Sequence, residues 1–230
     1  SACEKGGQWQ RALQVMEDMK SRNIPANTIT YNAVISACAK RGQWQWAMKV
    51  MEDMEANQID ANTITYNAVI SCCANGGQHQ QALELMGTME QKGIPTNTIT
   101  YAAAISACEK GGHWEEALGL MERMKNKGIP ADTITYTVVI SACAKAAQWQ
   151  RALLLMKEME INGIPENTIT YNAAISACAK GGQWERALQA IEDMKRKGID
   201  ANTITFNAAI SACEKGGQWQ RALQVMDHMQ

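Results

Sequence analysis

At 230 residues, with 46% hydrophobic and 20% charged side chains, the chain has the make-up of ordinary folded protein. A formal net charge of -1 and a pI near 6.3 exclude a strongly basic surface that would draw polyanions from a distance, and no apolar run approaches the roughly eighteen residues a membrane helix needs. Fourteen Met and seven Trp against one Phe, and 17 Gly against 4 Pro, point instead to one phrase copied many times.

The copying is plain in chain order. Ser1 to Met16 recurs letter for letter at Ser211 to Met226, an offset of 210 residues, or six periods of 35. Asn-Thr-Ile-Thr recurs at Asn27, Asn62, Asn97, Asn167 and Asn202, with Asp132 in the remaining place. Counting from the first Thr gives full repeats at 28–62, 63–97, 98–132, 133–167 and 168–202, flanked by partial repeats 1–27 and 203–230, in a single array over 1–230. The chain opens on Ser-Ala-Cys-Glu-Lys rather than a basic and then apolar leader, so a targeting segment and further repeats are expected outside these residues.

In the first full repeat Tyr31, Val34, Ile35 and Cys38 share one side of a helix, which predicts helix A over roughly Thr30 to Lys40 with Thr28 or Thr30 as N-cap. Arg41-Gly42, Gly-Gly in most copies, ends it. Trp44, Ala47, Met48, Met51 and Met54 then mark helix B, roughly Gln43 to Glu55. Links such as Gly93-Ile94-Pro95 and Gly128-Ile129-Pro130 return the chain to the next helix A. Small Ala47, Ala82, Ala117, Ala152, Ala187 and Ala222 would let helix B approach closely. One such hairpin has too little apolar surface to fold alone and must bury its stripe against the next.

Chemistry is sparse. Cysteines recur once per repeat at Cys3, Cys38, Cys73, Cys108, Cys143, Cys178 and Cys213, with Cys72 as an extra; without a Cys-x-x-Cys pair, and with scattered His79, His113 and His228, they read as small core residues rather than a zinc site. No metal, cofactor or catalytic set is expected. The Trp series (Trp9, Trp44, Trp114, Trp149, Trp184, Trp219) lies on the apolar stripe of helix B, so packing is favoured over base stacking. Acidic pairs Glu17-Asp18, Glu52-Asp53 and Glu192-Asp193 fit a solvated face.

A second stripe of helix A has no packing reason to repeat. Ile29, Ile64, Ile99, Ile134, Ile169 and Ile204 begin it; Asn32, Asn67, Ala102, Thr137, Asn172 and Asn207 follow. Stacked hairpins would present one hydrogen-bonding group per repeat, which suits a ligand that also repeats, such as unstacked bases. The plainer alternative makes the Asn and Thr solvated and has Ile cover the hairpin joint. Lys40, Lys110, Lys145, Lys180 and Lys215 end helix A on the same side, where either phosphate contact or the helix dipole explains them. Glu109 and Glu214 beside two of them would weaken phosphate binding, as would Glu4 beside Lys5.

The phrase Thr-Ile-Thr-Tyr-Asn-Ala-Val-Ile-Ser-Ala-Cys-Ala-Lys at 28–40, the Gly turn, Met-Glu-Asp-Met in helix B and Gly-Ile-Pro-x-Asn in the link resemble the pentatricopeptide repeat over the whole chain. The resemblance implies an all-α fold, a right-handed α-solenoid of stacked helix-turn-helix repeats. It implies that the fifth and last residues of a repeat read one base of single-stranded RNA while the second residue sandwiches neighbouring bases. The pairs are then Asn32 with Asn62, Asn67 with Asn97, Ala102 with Asp132, Thr137 with Asn167, and Asn172 with Asn202, and the implied target is pyrimidine, pyrimidine, any base, A, pyrimidine, with Asn207 adding a further pyrimidine. Family members act in chloroplasts or mitochondria on organellar transcripts, and a non-enzymatic RNA-binding module is expected here, with any catalyst elsewhere. A scaffold holding protein subunits of a large organellar assembly, without direct membrane insertion, is the alternative that near-neutral charge favours.

Overall fold

The computed structural model describes residues 8–227; Cys3, Glu4, Lys5 and His228 lie outside them. Among the described residues the chain forms thirteen α-helices and no strand, and no helix is long and apolar enough to cross a membrane. The helices fall into two compact units, residues 1–111 and 112–230. The first holds α1 (Trp9–Ser21), α2 (Thr28–Ala39), α3 (Trp44–Ala56), α4 (Thr63–Asn75), α5 (His79–Gln91) and α6 (Thr98–Gly111). The second holds α7 (Trp114–Asn126), α8 (Thr133–Lys145), α9 (Trp149–Ile161), α10 (Thr168–Lys180), α11 (Trp184–Arg196), α12 (Thr203–Lys215) and α13 (Trp219–Asp227).

Each unit is a two-layered stack of helical hairpins, the solenoid architecture expected of such repeats. The even-numbered A helices lie side by side, α2 against α4 and α4 against α6 in the first unit, α8 against α10 and α10 against α12 in the second. The odd-numbered B helices form the other layer: α3, α5, α9 and α11 each pack on the A helix before them and, within the unit, on the one after, while α1 packs on α2, α7 on α8 and α13 on α12. Small side chains allow the A helices to approach: Ala37, Cys38, Cys73, Ala107, Cys108, Ala142, Cys143, Ala177 and Cys178 are buried in the joints. Met54, Met89, Met124, Met159 and Met194 fill the space between layers and are fully enclosed. Every described cysteine is a free thiol, as a packing role requires.

Trp9, Trp44, Trp114, Trp149 and Trp184, which open B helices, are half-buried rather than enclosed, and Trp219 is exposed. Their packing partner is the turn of the next hairpin, where a Cβ on Gly181 would overlap the indole of Trp149 and one on Gly216 that of Trp184. Gly42 meets a different demand: its φ of +62° is left-handed, and a Cβ there would lie 2.9 Å from the backbone of Asn75. In the 133–167 repeat the turn is Ala146-Ala147, and Ala147 is held at a φ of +56°.

The acidic residues near the ends of the B helices are more than a solvated face. Asp53 Oδ2 accepts from the Tyr31 hydroxyl at 2.9 Å, and its Oδ1 accepts from Lys20 Nζ at 2.7 Å. Glu158 does the same for Tyr136 at 2.9 Å, and Lys125 pairs with Glu158. The repeat 63–97 has Thr88 in the place of Asp53, and there the Tyr66 hydroxyl is enclosed without a partner.

Two outcomes follow from these contacts. Ala147→Gly relieves a left-handed alanine and is expected to raise stability by roughly 0.5–1 kcal/mol in urea unfolding. Burial, helped by the neighbouring Asp53 carboxylate, pushes the Tyr31 hydroxyl up to about 12, and burial pushes the thiols of Cys38, Cys73, Cys143 and Cys178 up to about 11. The folded chain thus binds more protons than the unfolded chain above the ordinary thiol value, so stability is intact below about pH 9 and falls as pH rises toward 12. Urea midpoints at pH 8 and pH 11 measure that loss, and Tyr31→Phe should make the decline above pH 10 shallower.

Candidate nucleic-acid interface

The A-helix layer is organised by the last residue of each repeat. Asn27, Asn62, Asp132, Asn167 and Asn202 are N-caps of the following A helix, held in extended backbone conformation. Their Oδ1 atoms accept the backbone N–H of the third helical residue: Thr30 at 3.0 Å, Thr65 at 3.1 Å, Thr135 at 2.8 Å, Thr170 at 3.0 Å and Thr205 at 3.1 Å. Asn97 makes the same bond to Thr100 at 3.0 Å. The A helices thus begin at the first Thr, two residues earlier than the apolar spacing suggests, and neither Thr28 nor Thr30 is the cap. The third Thr returns the bond, its Oγ1 accepting the N–H of Asn62 at 3.2 Å, Asn97 at 3.1 Å and Asn202 at 3.0 Å. The first Thr reaches forward to the next link, Thr63 to Pro95 O at 3.0 Å, Thr133 to Pro165 O at 2.8 Å and Thr168 to Asp200 O at 3.0 Å.

Capping changes what the last residue can offer a ligand. An Asn whose Oδ1 is occupied retains its Nδ2 donors, whereas Asp132 retains one carboxylate oxygen as acceptor. The fifth residues are drawn into the same network. Asn67 Nδ2 donates to Asn97 Oδ1 at 3.2 Å, and Asn172 Nδ2 to Asn202 Oδ1 at 3.2 Å. Thr137 meets Thr170 Oγ1 at 2.8 Å, and Thr170 in turn donates to Asn167 Oδ1 at 3.0 Å. Asn32 Oδ1 is enclosed without a partner, and Asn207 is exposed. Ala102 belongs to the first unit and Asp132 to the second.

Sequence reasoning missed the third-position threonines. Thr65, Thr100, Thr135, Thr170 and Thr205 are all fully buried and bonded to the candidate pairs. Their invariance across copies was visible, but Tyr and Ile beside them carry the stronger periodic signal.

The isoleucines do not cover a joint. Ile29, Ile64, Ile99, Ile134, Ile169 and Ile204 are between 61% and 77% exposed, and all but Ile29 precede a fully buried threonine. The five lysines at the ends of the A helices are exposed as well. Two of them reach back along the layer: Lys110 Nζ to Asn75 Oδ1 at 2.8 Å, and Lys180 Nζ to Lys145 O at 3.5 Å. Asn75, which stands where other repeats have Lys, itself donates to Ala39 O at 2.9 Å.

The period, the paired helices and the capping phrase define a helical-repeat protein, and the chain belongs to the pentatricopeptide repeat family. A family model described as the pentacotripeptide-repeat region of PRORP matches residues 1–151, one for the PPR repeat family matches 166–215, and one for the PPR repeat matches 204–230. No curated protein matches. Among solved structures the chain is similar to the pentatricopeptide repeat protein PPR10 from maize, with a TM-score of 0.76 and 24% identity over 99% of this chain and 33% of that one. It is also similar to a form of PPR10 with three cysteines replaced by serine, in complex with an 18-nt psaJ RNA element, with a TM-score of 0.74 and 21% identity over 99% of this chain and 37% of that one. The PPR domain of Arabidopsis thaliana protein-only RNase P 1 in complex with tRNA matches with a TM-score of 0.66 and 13% identity, over 81% of this chain and 95% of that one. The chain thus spans about a third of the length of the PPR10 chains, and the likeness is one of fold.

The cap and the outward-facing amide reside on one side chain and can be separated. Asn97→Ala is expected to cost about 1 kcal/mol in urea unfolding by removing the acceptor for Thr100 N–H. Asn97→Asp keeps an acceptor there and should stay within about 0.5 kcal/mol of the parent.

Proposed function

We propose that the exposed face of the A-helix layer binds single-stranded RNA, one base per repeat. The observation that carries this reading is the row of exposed isoleucines, two of which, Ile64 and Ile169, begin repeats whose polar pair is bonded closed. A large aliphatic side chain left in water once per repeat gains nothing for folding, and it supplies the apolar face on which an unstacked base can rest. The relatives solved with an RNA element and with tRNA support the ligand class.

In this reading Ile29, Ile64, Ile99, Ile134, Ile169 and Ile204 sandwich bases, and Lys40, Lys110, Lys145, Lys180 and Lys215 lie along the phosphates. The reading pairs are Asn32 with Asn62, Asn67 with Asn97, Ala102 with Asp132, Thr137 with Asn167, and Asn172 with Asn202. Capped Asn pairs keep N–H donors, which fit the adjacent N3 and O2 acceptors of cytosine better than the N3–H of uracil. Ala102 brings no hydrogen bond, so its base is poorly discriminated. The target is pyrimidine, pyrimidine, any base, A, pyrimidine, read 5′ to 3′ from the N-terminal repeat, and Asn207 adds a pyrimidine. The module acts in binding rather than catalysis, on transcripts of a chloroplast or mitochondrion.

The competing reading is a scaffold for a protein segment. A net charge of -1 and the engagement of Lys110 and Lys180 within the protein favour it. Fluorescence anisotropy with the predicted RNA and its base complement, at two salt concentrations, separates the two. RNA reading requires sequence-dependent binding that weakens with salt. Asn67→Ala should lose roughly 1–3 kcal/mol of discrimination at one base, and Lys40→Ala should weaken every RNA and lower the salt slope by about 0.7. Equal or absent binding to both RNAs moves the function to the scaffold.

A further inference from the structure

The two closed asparagine pairs each contain a third member. We propose that the buried threonine opening the following repeat, Thr100 for Asn67/Asn97 and Thr205 for Asn172/Asn202, is a specificity-determining positioning residue: it fixes which way round the paired amides face and so makes each pair present N–H donors. The assignment rests on the RNA reading proposed above.

An asparagine amide is nearly symmetric in shape, and half a turn exchanges its acceptor for its donors. Left free, a base-reading amide could meet a donor or an acceptor edge and would discriminate little between cytosine and uracil. Thr100 removes that freedom. Its hydroxyl has two acceptors in reach, Asn67 Oδ1 at 2.6 Å and Asn97 Oδ1 at 3.0 Å, and the shorter contact takes the proton while a lone pair accepts the N–H of Asn97 at 3.1 Å. Its backbone N–H holds Asn97 Oδ1 at 3.0 Å, which leaves that oxygen to accept Asn67 Nδ2 at 3.2 Å. Turning the Asn67 amide would set its carbonyl against the Asn97 carbonyl, two acceptors face to face. The Thr205 set repeats the arrangement: 2.5 Å to Asn172 Oδ1, 3.0 Å from Asn202 N–H, 3.1 Å from Thr205 N–H to Asn202 Oδ1, and 3.2 Å between the amides. Both threonines are fully buried, so water does not compete for these bonds.

The 28–62 repeat shows what the lock does. Thr65 Oγ1 sits 3.2 Å from Asn62 Oδ1, and Asn32 Oδ1 is left without a partner. Thr100 and Thr205 make the same contact to Asn97 and Asn202, so the two states differ in the bond from the hydroxyl to the fifth residue's oxygen, present at Asn67 and Asn172 and absent at Asn32.

The test compares the full chain with Thr100→Val, which keeps shape and loses the hydroxyl, and with Thr100→Ser, which restores it. Anisotropy is read with RNAs carrying C or U opposite the 63–97 repeat or opposite the 168–202 repeat, after circular dichroism confirms that each variant is folded. Thr100→Val should lower the C-over-U affinity ratio at its own base by roughly threefold or more and leave the ratio at the other base unchanged. Thr205→Val should do the converse, and Thr100→Ser should match the parent. If Thr100→Val keeps the full ratio, or weakens C and U RNAs equally, the threonine is a packing residue and the assignment falls while RNA reading stands. A parent chain that binds neither RNA overturns the RNA reading, and the threonine assignment with it.

Discussion

Each A helix begins with backbone N–H groups that nothing in the helix can satisfy, and the last residue of the preceding repeat satisfies them. That bond from Asn or Asp to the third helical N–H fixes where the helix starts, hence which residues face the B layer and which face outward. Starting at Thr28, Thr63, Thr133 or Thr168 buries Tyr, Ile and Cys together and leaves the second residue, always Ile, outside. A cap shifted by one residue would rotate the whole helix by about 100° and bury the wrong stripe. The side chain that sets the register is also the one set beside the candidate ligand.

That economy has a chemical consequence. A cap consumes an acceptor, so a capping asparagine has only donors left to offer, and a capping aspartate with one oxygen spent has an acceptor left. The rest of the layer keeps the arrangement rigid at low cost. Ala and Cys at the joints let neighbouring A helices touch, and the first Thr of a repeat ties to the carbonyl of the next link. Because the hairpins within a unit are packed one on the next, adjacent isoleucines there recur at a spacing the backbone sets.

The period, the helix pairing and the core stripe were legible in the sequence because Tyr, Ile, Cys, Ala and Met repeat at helical spacing. The helix starts were not. Asn-Thr-Ile-Thr holds three residues able to cap, and only the geometry shows Asn27 as the cap, Thr30 answering it and the first Thr turned to its neighbour. The Tyr31 to Asp53 bond links residues on opposite helices of a hairpin, and its failure at Tyr66, where Thr88 replaces the acid, is visible only once the helices are packed. The isoleucine row was legible as a pattern but open in meaning; its exposure removes the reading in which it seals a joint.

Net charge proves a poor guide to this surface for a reason that lies in the layering. Many of the cations that balance the acids are paired within the B layer and its links: Lys20 with Asp53 at 2.7 Å, Lys92 with Glu55 at 2.7 Å, and Lys197 with Glu160 at 3.1 Å and Glu166 at 2.8 Å. The exposed pairs among these contribute little to stability, yet all of them enter the total as zero and hide the distribution. Two lysines of the A layer differ: Lys110 and Lys180 bond to neutral oxygens, an amide and a backbone carbonyl, which leave their charge in place. A phosphate within a Debye length of about 8 Å responds to that local row rather than to the sum over the chain. A near-neutral total is therefore compatible with a local row of cations at the C-terminal ends of the A helices, opposite the ends that carry the isoleucines.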